Sequence, residues 1–214
     1  MTQTSFPVIL TRLSNCVVIG GGRVAERKVR ALLAGGVNPT VISPELTPGL
    51  YSLKEQGKIQ HLARNCLAGD LGGAQLAIIA TDDPQVNAQA AREAAGRGIL
   101  CNVVDDPDGS SFHTVGAVRR GSLLLTVSSG GESPALTRHL RRKLERSYPA
   151  AYQSLLEMLK EHRSGLASLT EKAREEVLEE LTTPGVLEQL VNDPEAMGRR
   201  LSELIEQWRE AAAG

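Results

Sequence analysis

A glycine-rich stretch near the start of the sequence, VVIGGGRVAERK at residues 17–28, has the residue types and spacing to hold phosphate groups. Gly20, Gly22 and Ala25 fit the pattern G-x-G-x-x-(G/A). In that pattern the first glycine permits a tight turn, the second lets a pyrophosphate approach the backbone, and the small third residue lets a helix pack closely on a strand. Free N–H groups at the helix N-terminus would bind the phosphates. We predict a dinucleotide site here; the alternative is a glycine turn without a ligand.

The acid that such a site uses to hold the ribose hydroxyls is displaced in this chain. The second apolar run, residues 40–42, should end in Asp or Glu. It continues instead with Ser43-Pro44 and reaches an acid only at Glu45. No arginine follows immediately to pair with a 2′-phosphate, so the sequence favours NAD over NADP.

A second group with chemical potential is a carboxylate. Asp105 directly follows an apolar run at residues 99–104, so we expect it at the carboxyl edge of a sheet, where ligands bind and where it could transfer a proton. The alternative is that residues 105–107 (DDP) only form a turn. Basic side chains gather between Arg119 and Arg146, and they either meet an acidic ligand or form a solvated helix face.

The elements that would position these residues alternate between strands and helices. Apolar runs predict strands at residues 8–10, 16–19, 40–42, 76–80, 99–104 and 123–127. Helical patterns begin at Val24 and at Asn87. This alternation is typical of an α/β fold with a parallel sheet and right-handed crossovers. Beyond residue 134 no strand is predicted, and Asp193-Pro194 begins a helix with one apolar face.

The composition indicates a cytoplasmic protein of one or two domains. Its 24 basic against 25 acidic side chains give a formal net charge of -1, which offers no argument for nucleic acid. No apolar run is long enough for a membrane span, and the first residues lack the pattern of a signal peptide. The three cysteines are far apart and the four histidines show no metal-ligand spacing, so we expect neither a disulfide framework nor a metal site.

Five motifs occur in an order that is more specific than any one of them. They are residues 20–28 (GGGRVAERK), 80–87 (ATDDPQVN), 101–107 (CNVVDDP), 119–121 (RRG) and 128–136 (SSGGESPAL). With these motifs the sequence resembles the precorrin-2 dehydrogenases of siroheme synthesis, a family that includes the N-terminal half of the multifunctional siroheme synthase. The resemblance covers residues 6–148 closely and the remainder loosely.

The resemblance implies a Rossmann-type parallel-sheet domain at residues 1–112, a dimerisation and substrate segment at 113–148, and a small all-helical domain at 149–214. It implies a homodimer that oxidises precorrin-2 to sirohydrochlorin with NAD as cofactor. Some members also insert Fe²⁺ into sirohydrochlorin, which the sequence does not decide. We expect no methyltransferase half, because the sequence stops at Gly214. The alternative of a different class is a non-catalytic NAD- or redox-sensing Rossmann dimer, which needs neither Asp105 nor the basic stretch.

Matching by position assigns the site residues that the resemblance implies. The cofactor contacts, beside Gly20 and Gly22, are Arg23, Val24, Pro44, Glu45 and Thr81. Asp105 matches the catalytic aspartate and Ser129 a serine beside the tetrapyrrole. Because precorrin-2 carries eight carboxylates, the nearby Arg119 and Arg120 are further substrate candidates. His113 is another, although the sequence FHTV at residues 112–115 departs there from the family's Phe-x-x-Pro.

Overall fold

Strands and helices alternate along the first half of the chain in the computed structural model, which describes residues 6–213 and the side chains as far as residue 209. The chain divides into two units, Met1–Thr114 and Val115–Gly214, and each has its own hydrophobic core. The second unit begins at Val115, two residues after the predicted start of the dimerisation segment at residue 113, and includes the rest of that segment and the predicted helical domain. Among the described residues, no helix is both long and apolar enough to cross a membrane.

Within the described residues, the first unit holds a five-stranded parallel sheet in the order β3-β2-β1-β4-β5. Its elements in chain order are β1 (Cys16–Ile19), α1 (Arg23–Ala34), β2 (Thr40–Ile42), α2 (Pro48–Glu55), β3 (Gln60–Leu62), β4 (Leu76–Ile79), α3 (Pro84–Gly96) and β5 (Leu100–Val103). The α/β fold with a parallel sheet is confirmed.

The sheet is covered on both of its faces, as its continuous apolar strands predict. Every residue of β1 and β4 is buried. Val17 and Ile19 pack in one cluster with residues of α3, whereas Val18 packs in another with Ala25 and Val29 of α1. The chain leaves β1 toward β2 and β3 on one side and returns to β4 and β5 on the other. The point between β1 and β4 is thus the topological switch point, where open α/β sheets bind ligands.

The predicted strand at residues 8–10 is wrong. These residues have no strand partner within the described chain, and Val8 and Ile9 are 65 % and 69 % exposed. Apolar and β-branched residues favour a strand only where a neighbour supplies hydrogen bonds and a surface to bury against.

Two elements of the first unit, α2 and β3, were not predicted. The helix α2 begins with Pro48-Gly49, a pair typical of turns, but Thr47 accepts a hydrogen bond from the Leu50 N–H and caps the helix. Proline is also favourable at the first helical position, because its missing N–H has no intrahelical partner there. The strand β3 has three residues, with polar Gln60 and His61 at an edge, so it lacks the apolar run that indicates a strand.

The open edge of β5 is covered by the segment that follows it. Ser110 Oγ accepts from the Val103 N–H at 2.9 Å, and Ser111 Oγ accepts from the Cys101 N–H at 2.8 Å. The Ser111 N–H in turn donates to the Cys101 carbonyl at 2.8 Å. These hydrogen bonds satisfy backbone groups that would otherwise invite another strand.

The second unit begins with an antiparallel hairpin and continues as helices. Its elements are β6 (Gly116–Arg120), β7 (Leu123–Val127), α4 (Pro134–Ser147), α5 (Ala151–Glu161), α6 (Arg163–Ala167), α7 (Glu171–Leu181), α8 (Pro184–Asn192) and α9 (Pro194–Ala213). The predicted start of α9 is confirmed, because Asp193 Oδ1 accepts from the Ala196 N–H at 2.9 Å. Helices α5 and α7–α9 enclose a core that includes Leu155, Leu181 and Leu201.

Candidate functional site

The glycine loop after β1 combines one crowded glycine with one open position. Gly20 has a φ of 115°, and a Cβ there would lie 2.3 Å from the Ala80 carbonyl oxygen, so only glycine fits. Gly22 is the N-cap of α1, and a Cβ there would meet no protein atom within 4 Å. Gly22 has no side chain to cap the helix, so the first N–H groups of α1 have no side-chain cap within the described residues, and the space around Gly22 at the switch point is open. Arg23 and Val24 begin that helix.

The segment after β2 is bound directly to the glycine loop. The Thr47 N–H donates to the Gly21 carbonyl at 3.0 Å, and a Cβ on Gly21 would lie 1.8 Å from the Glu45 carbonyl oxygen. This close approach places Pro44 and Glu45, both exposed, beside the loop. The structure thus brings these predicted cofactor residues together with Gly20 and Gly22, even though Glu45 comes late in the sequence.

Glu26 and Thr47 hold this arrangement, and neither was predicted from the sequence. Thr47 Oγ1 donates to Glu26 Oε2 at 2.6 Å, and Arg30 Nη2 donates to Glu26 Oε1 at 2.7 Å. These hydrogen bonds, from Thr47 first and Arg30 second, lower the pKa of the Glu26 carboxyl. Glu26 therefore connects α1 to the loop that follows β2.

Thr81 lies on the other side of the switch point, after β4. It forms a closed pair with Asn87: Thr81 Oγ1 donates to Asn87 Oδ1 at 2.6 Å, and Asn87 Nδ2 donates to the Thr81 carbonyl at 3.0 Å. Asp83 caps α3 by accepting from the Gln85 and Val86 N–H groups. Because Gly20 packs on the neighbouring Ala80, Thr81 belongs to the same edge as the glycine loop.

Asp105 lies at this carboxyl edge too, in the turn after β5. It is exposed and has a φ of 61°, the left-handed region that non-glycine residues rarely adopt. The Asp106 N–H donates to the Val103 carbonyl at 3.3 Å, and Asp106 Oδ1 accepts from the Gly109 N–H at 3.0 Å. The turn is therefore stabilised by Asp106, whereas the Asp105 side chain has no such partner among the described residues. Residues in this backbone region cluster at functional sites.

Lys28 and Asn102 form a polar connection behind this edge that the sequence analysis did not identify. Lys28 Nζ donates to Asn102 Oδ1 at 3.0 Å and to Thr114 Oγ1 at 2.8 Å. Asn102 is 6 % exposed and its amide donates to the Phe112 carbonyl at 3.2 Å. The one feature of the sequence that could have indicated this connection is the polar Asn102 within the otherwise apolar strand of the motif CNVVD. His113, between Phe112 and Thr114, is exposed.

The two candidate arginines of the second unit have different surroundings. Arg120 Nε donates to the Tyr148 carbonyl at 2.8 Å, and its Nη2 donates to the Glu145 carbonyl at 3.0 Å. Arg120 thereby caps the C-terminus of α4, where carbonyl groups lack helical partners. Arg119, its neighbour on β6, is exposed. Of the pair, Arg119 has the guanidinium that is available to a carboxylate.

Ser129 lies in the glycine-containing loop that leads into α4. Its Oγ is 3.0 Å from Thr137 Oγ1 and accepts from the Ser133 N–H at 3.1 Å. Ser133 caps the helix by accepting from the Leu136 N–H at 3.2 Å. Helix α4 carries the basic side chains that the sequence singled out, and none of its residues is buried. The basic residues of α4 are Arg138, Arg141, Arg142, Lys143 and Arg146.

Two family models match the chain in succession. One, described as "Putative NAD(P)-binding", matches residues 9–116, which are 108 of the 214 residues. The other, described as "Sirohaem biosynthesis protein central", matches residues 120–147, the segment that holds β7 and α4. The first match contains the glycine loop, Thr81 and Asp105, and the second contains Ser129.

Curated proteins similar to this chain are named siroheme synthases. That of Chromobacterium violaceum is 44% identical over 151 residues, which are 70% of this chain and 32% of the relative. That of Azotobacter vinelandii is 35% identical over 189 residues, which are 87% of this chain and 41% of the relative. The chain thus spans less than half the length of these relatives.

A solved structure confirms the Rossmann-type fold. The precorrin-2 dehydrogenase SirC matches with a TM-score of 0.70, at 23% identity, over 95% of this chain and 100% of that one. The two family models follow one another along the chain in the same order as the motifs that carry the resemblance found in the sequence. The chain belongs to the putative NAD(P)-binding family whose model matches residues 9–116, and this match is followed by that of the sirohaem biosynthesis central model at residues 120–147.

Proposed function

We propose that this protein is an NAD-dependent dehydrogenase that oxidises precorrin-2 to sirohydrochlorin in siroheme biosynthesis. The observation that carries the proposal is the arrangement of one sheet edge. There a glycine loop with an open helix N-terminus lies in the same unit as Asp105, an exposed carboxylate in left-handed backbone. The names of the similar proteins and the sirohaem family model supply the substrate class.

The residues of the first unit fit a bound dinucleotide. The open space at Gly22 and the free N–H groups of α1 suit a pyrophosphate, while Pro44, Glu45 and Thr81 flank the loop. A carboxylate at Glu45 favours ribose hydroxyls over a 2′-phosphate, so NAD rather than NADP is the cofactor we assign. Bound NAD would supply the acceptor for a hydride.

The chain's own residues have two tasks in this oxidation. Loss of two hydrogens from the tetrapyrrole releases a proton as well as a hydride, and Asp105 is the base we assign to that proton. The eight carboxylates of the substrate need positive partners, for which Arg119 and the exposed basic side chains of α4 are available. Ser129 and His113 remain further contacts in the proposal, and Arg120 acts by holding the end of α4.

The assembly we propose is a homodimer formed through the hairpin and α4. Leu136 on α4 is 49 % exposed, and Leu140 and Leu144 on the same face are only half-buried. An amphipathic helix that buries no residue in its own chain indicates a face that a second copy covers.

We expect light scattering at micromolar concentration to give the mass of a dimer. Leu136→Glu should shift the protein toward the monomer, because the new charge would be buried in the interface. Leu178→Glu, at a residue of α7 that is 40 % exposed, is the matched control and should leave the dimer intact. A wild-type monomer, or equal dissociation by both variants, would contradict this interface.

Metal insertion into sirohydrochlorin is a second candidate activity, with Fe²⁺ as a substrate. The observation that favours it is the exposed Asp105 carboxylate, which could also remove protons from the macrocycle nitrogens.

The cytoplasm is the location we assign. Cys16 and Cys101 are buried free thiols whose pKa burial raises, that of Cys101 to about 11, which suits a reducing compartment.

Two assays with the wild-type protein test these activities separately. Precorrin-2 with NAD should give sirohydrochlorin and NADH. Sirohydrochlorin with Fe²⁺ or Co²⁺, in the absence of NAD, should give the metal complex only if the second activity exists. Metal insertion without any NAD-dependent oxidation would replace the proposed function with that of a chelatase.

A further inference from the structure

Lys28 is a half-buried cation in a helix whose other basic residues are exposed. It lies on the second turn of α1, beyond the N–H groups that suit a pyrophosphate, and its neighbours Arg27 and Arg30 are exposed. Its ammonium is fixed by two hydrogen bonds, to Asn102 at 3.0 Å and to Thr114 at 2.8 Å. Fixing and partly desolvating a lysine is unfavourable, so the position requires an explanation other than solubility.

These contacts connect the helix of the glycine loop to the strand that ends at Asp105. Asn102 lies on β5, three residues before Asp105, and it also binds the Phe112 carbonyl. Thr114 ends the segment that covers the edge of β5. One side chain therefore joins α1, β5 and the covering segment at residues 110–114.

Two charged groups act on the Lys28 ammonium. Arg27 is on its own helix, and Asp105 follows β5; Asn102 and Thr114 are neutral. His113 neighbours Thr114 in the chain and is exposed. Burial lowers the pKa of Lys28, Arg27 lowers it further, and Asp105 acts in the opposite direction. Lys28 and Asp105 thus attract each other across the end of the sheet.

We infer that Lys28 is a positioning residue for the dehydrogenase. Its charge and its two hydrogen bonds keep the segment at residues 110–114 in place and the Asp105 carboxylate ready to receive the substrate proton. This inference rests on the proposed function. Lys28 acts through Asp105 and touches neither substrate nor cofactor. Its removal should therefore affect the chemical step and leave cofactor binding unchanged.

Three variants of the full chain separate charge from structure. Lys28→Gln keeps hydrogen-bonding ability without the charge, Lys28→Arg keeps the charge, and Arg27→Gln removes an exposed charge one residue away. We expect Lys28→Gln to lower kcat roughly tenfold or more, the scale of a misplaced reacting group, with unchanged NAD affinity. Lys28→Arg should keep most of the wild-type kcat, and Arg27→Gln should have the wild-type kcat.

A Lys28→Gln variant with wild-type kcat overturns the inference, as does a Lys28→Arg variant that loses as much of the rate as Lys28→Gln. If Lys28→Gln does not fold, Thr114→Val decides, because it removes one acceptor of the ammonium at an exposed residue. Thr114→Val should lower kcat by a smaller factor with unchanged NAD affinity; a wild-type kcat overturns the inference. A wild-type protein that does not oxidise precorrin-2 with NAD refutes the proposed function, and the inference with it, before any variant is compared.

Discussion

Asp105→Asn is expected to lower the rate of precorrin-2 oxidation by roughly 10²-fold or more, the range for loss of a general base. Asparagine has the shape of aspartate and tolerates the left-handed backbone that Asp105 adopts at a φ of 61°. The variant should therefore keep the wild-type melting temperature and NAD affinity. What it loses is the ability to accept the substrate proton as a base.

Asp106→Asn is the matched control for this prediction. The Asp106 side chain faces its own loop, where it accepts from the Gly109 N–H, and an asparagine oxygen can keep that hydrogen bond. Its effect on the rate should be much smaller. Equal losses in the two variants, or unfolding of Asp105→Asn, would mean that residues 105–107 only form a turn. If Asp105→Asn also abolishes metal insertion, proton removal from the macrocycle is the step that both reactions share.

Gly22→Leu is expected to abolish NAD binding, or weaken it by at least ~100-fold, without unfolding the protein. Gly22 has a φ of -80° and a ψ of -174°, a conformation open to any residue, and its Cβ would meet no protein atom within 4 Å. The leucine side chain would fill the space at the helix N-terminus that suits the pyrophosphate. Calorimetric titration with NAD and a thermal melt together measure the two properties.

Gly96→Leu provides the control for Gly22→Leu. Gly96 ends α3, is exposed, and likewise has no atom within 4 Å of an added Cβ. The Gly96→Leu variant should bind NAD with wild-type affinity. Unchanged NAD affinity in folded Gly22→Leu would show that the glycine loop is a turn without a ligand.

The glycine loop could be predicted because its conformation depends on consecutive residue types. Gly20 acts through its missing Cβ, which permits a φ of 115° and the approach to the Ala80 carbonyl, and Ala25 acts through its small size and is completely buried. The strands β1 and β4 could also be predicted from the sequence, since a strand buried on both faces is a continuous apolar run.

Contacts between distant segments could not be predicted in this way. Arg120 and Lys28 both occur in stretches rich in charge, where a solvated side chain is the ordinary interpretation. Arg120 instead binds carbonyls at the end of α4, and Lys28 reaches a residue 74 positions away. Residues 8–10 show the converse, because an apolar triplet indicates a strand only if the fold provides a partner. For Asp105 the sequence indicates the position after β5, and only the structure shows that its backbone and surroundings differ from those of Asp106.

The most direct measurement of the central claim is the stoichiometry of the wild-type reaction with precorrin-2 and NAD. NADH and sirohydrochlorin, followed by their absorbance in the same sample, should appear at the same rate and in equal amounts, with NADP a poorer substrate. Tight NAD binding without NADH formation in the presence of precorrin-2 would contradict the account and indicate a Rossmann domain that senses the cofactor without catalysis.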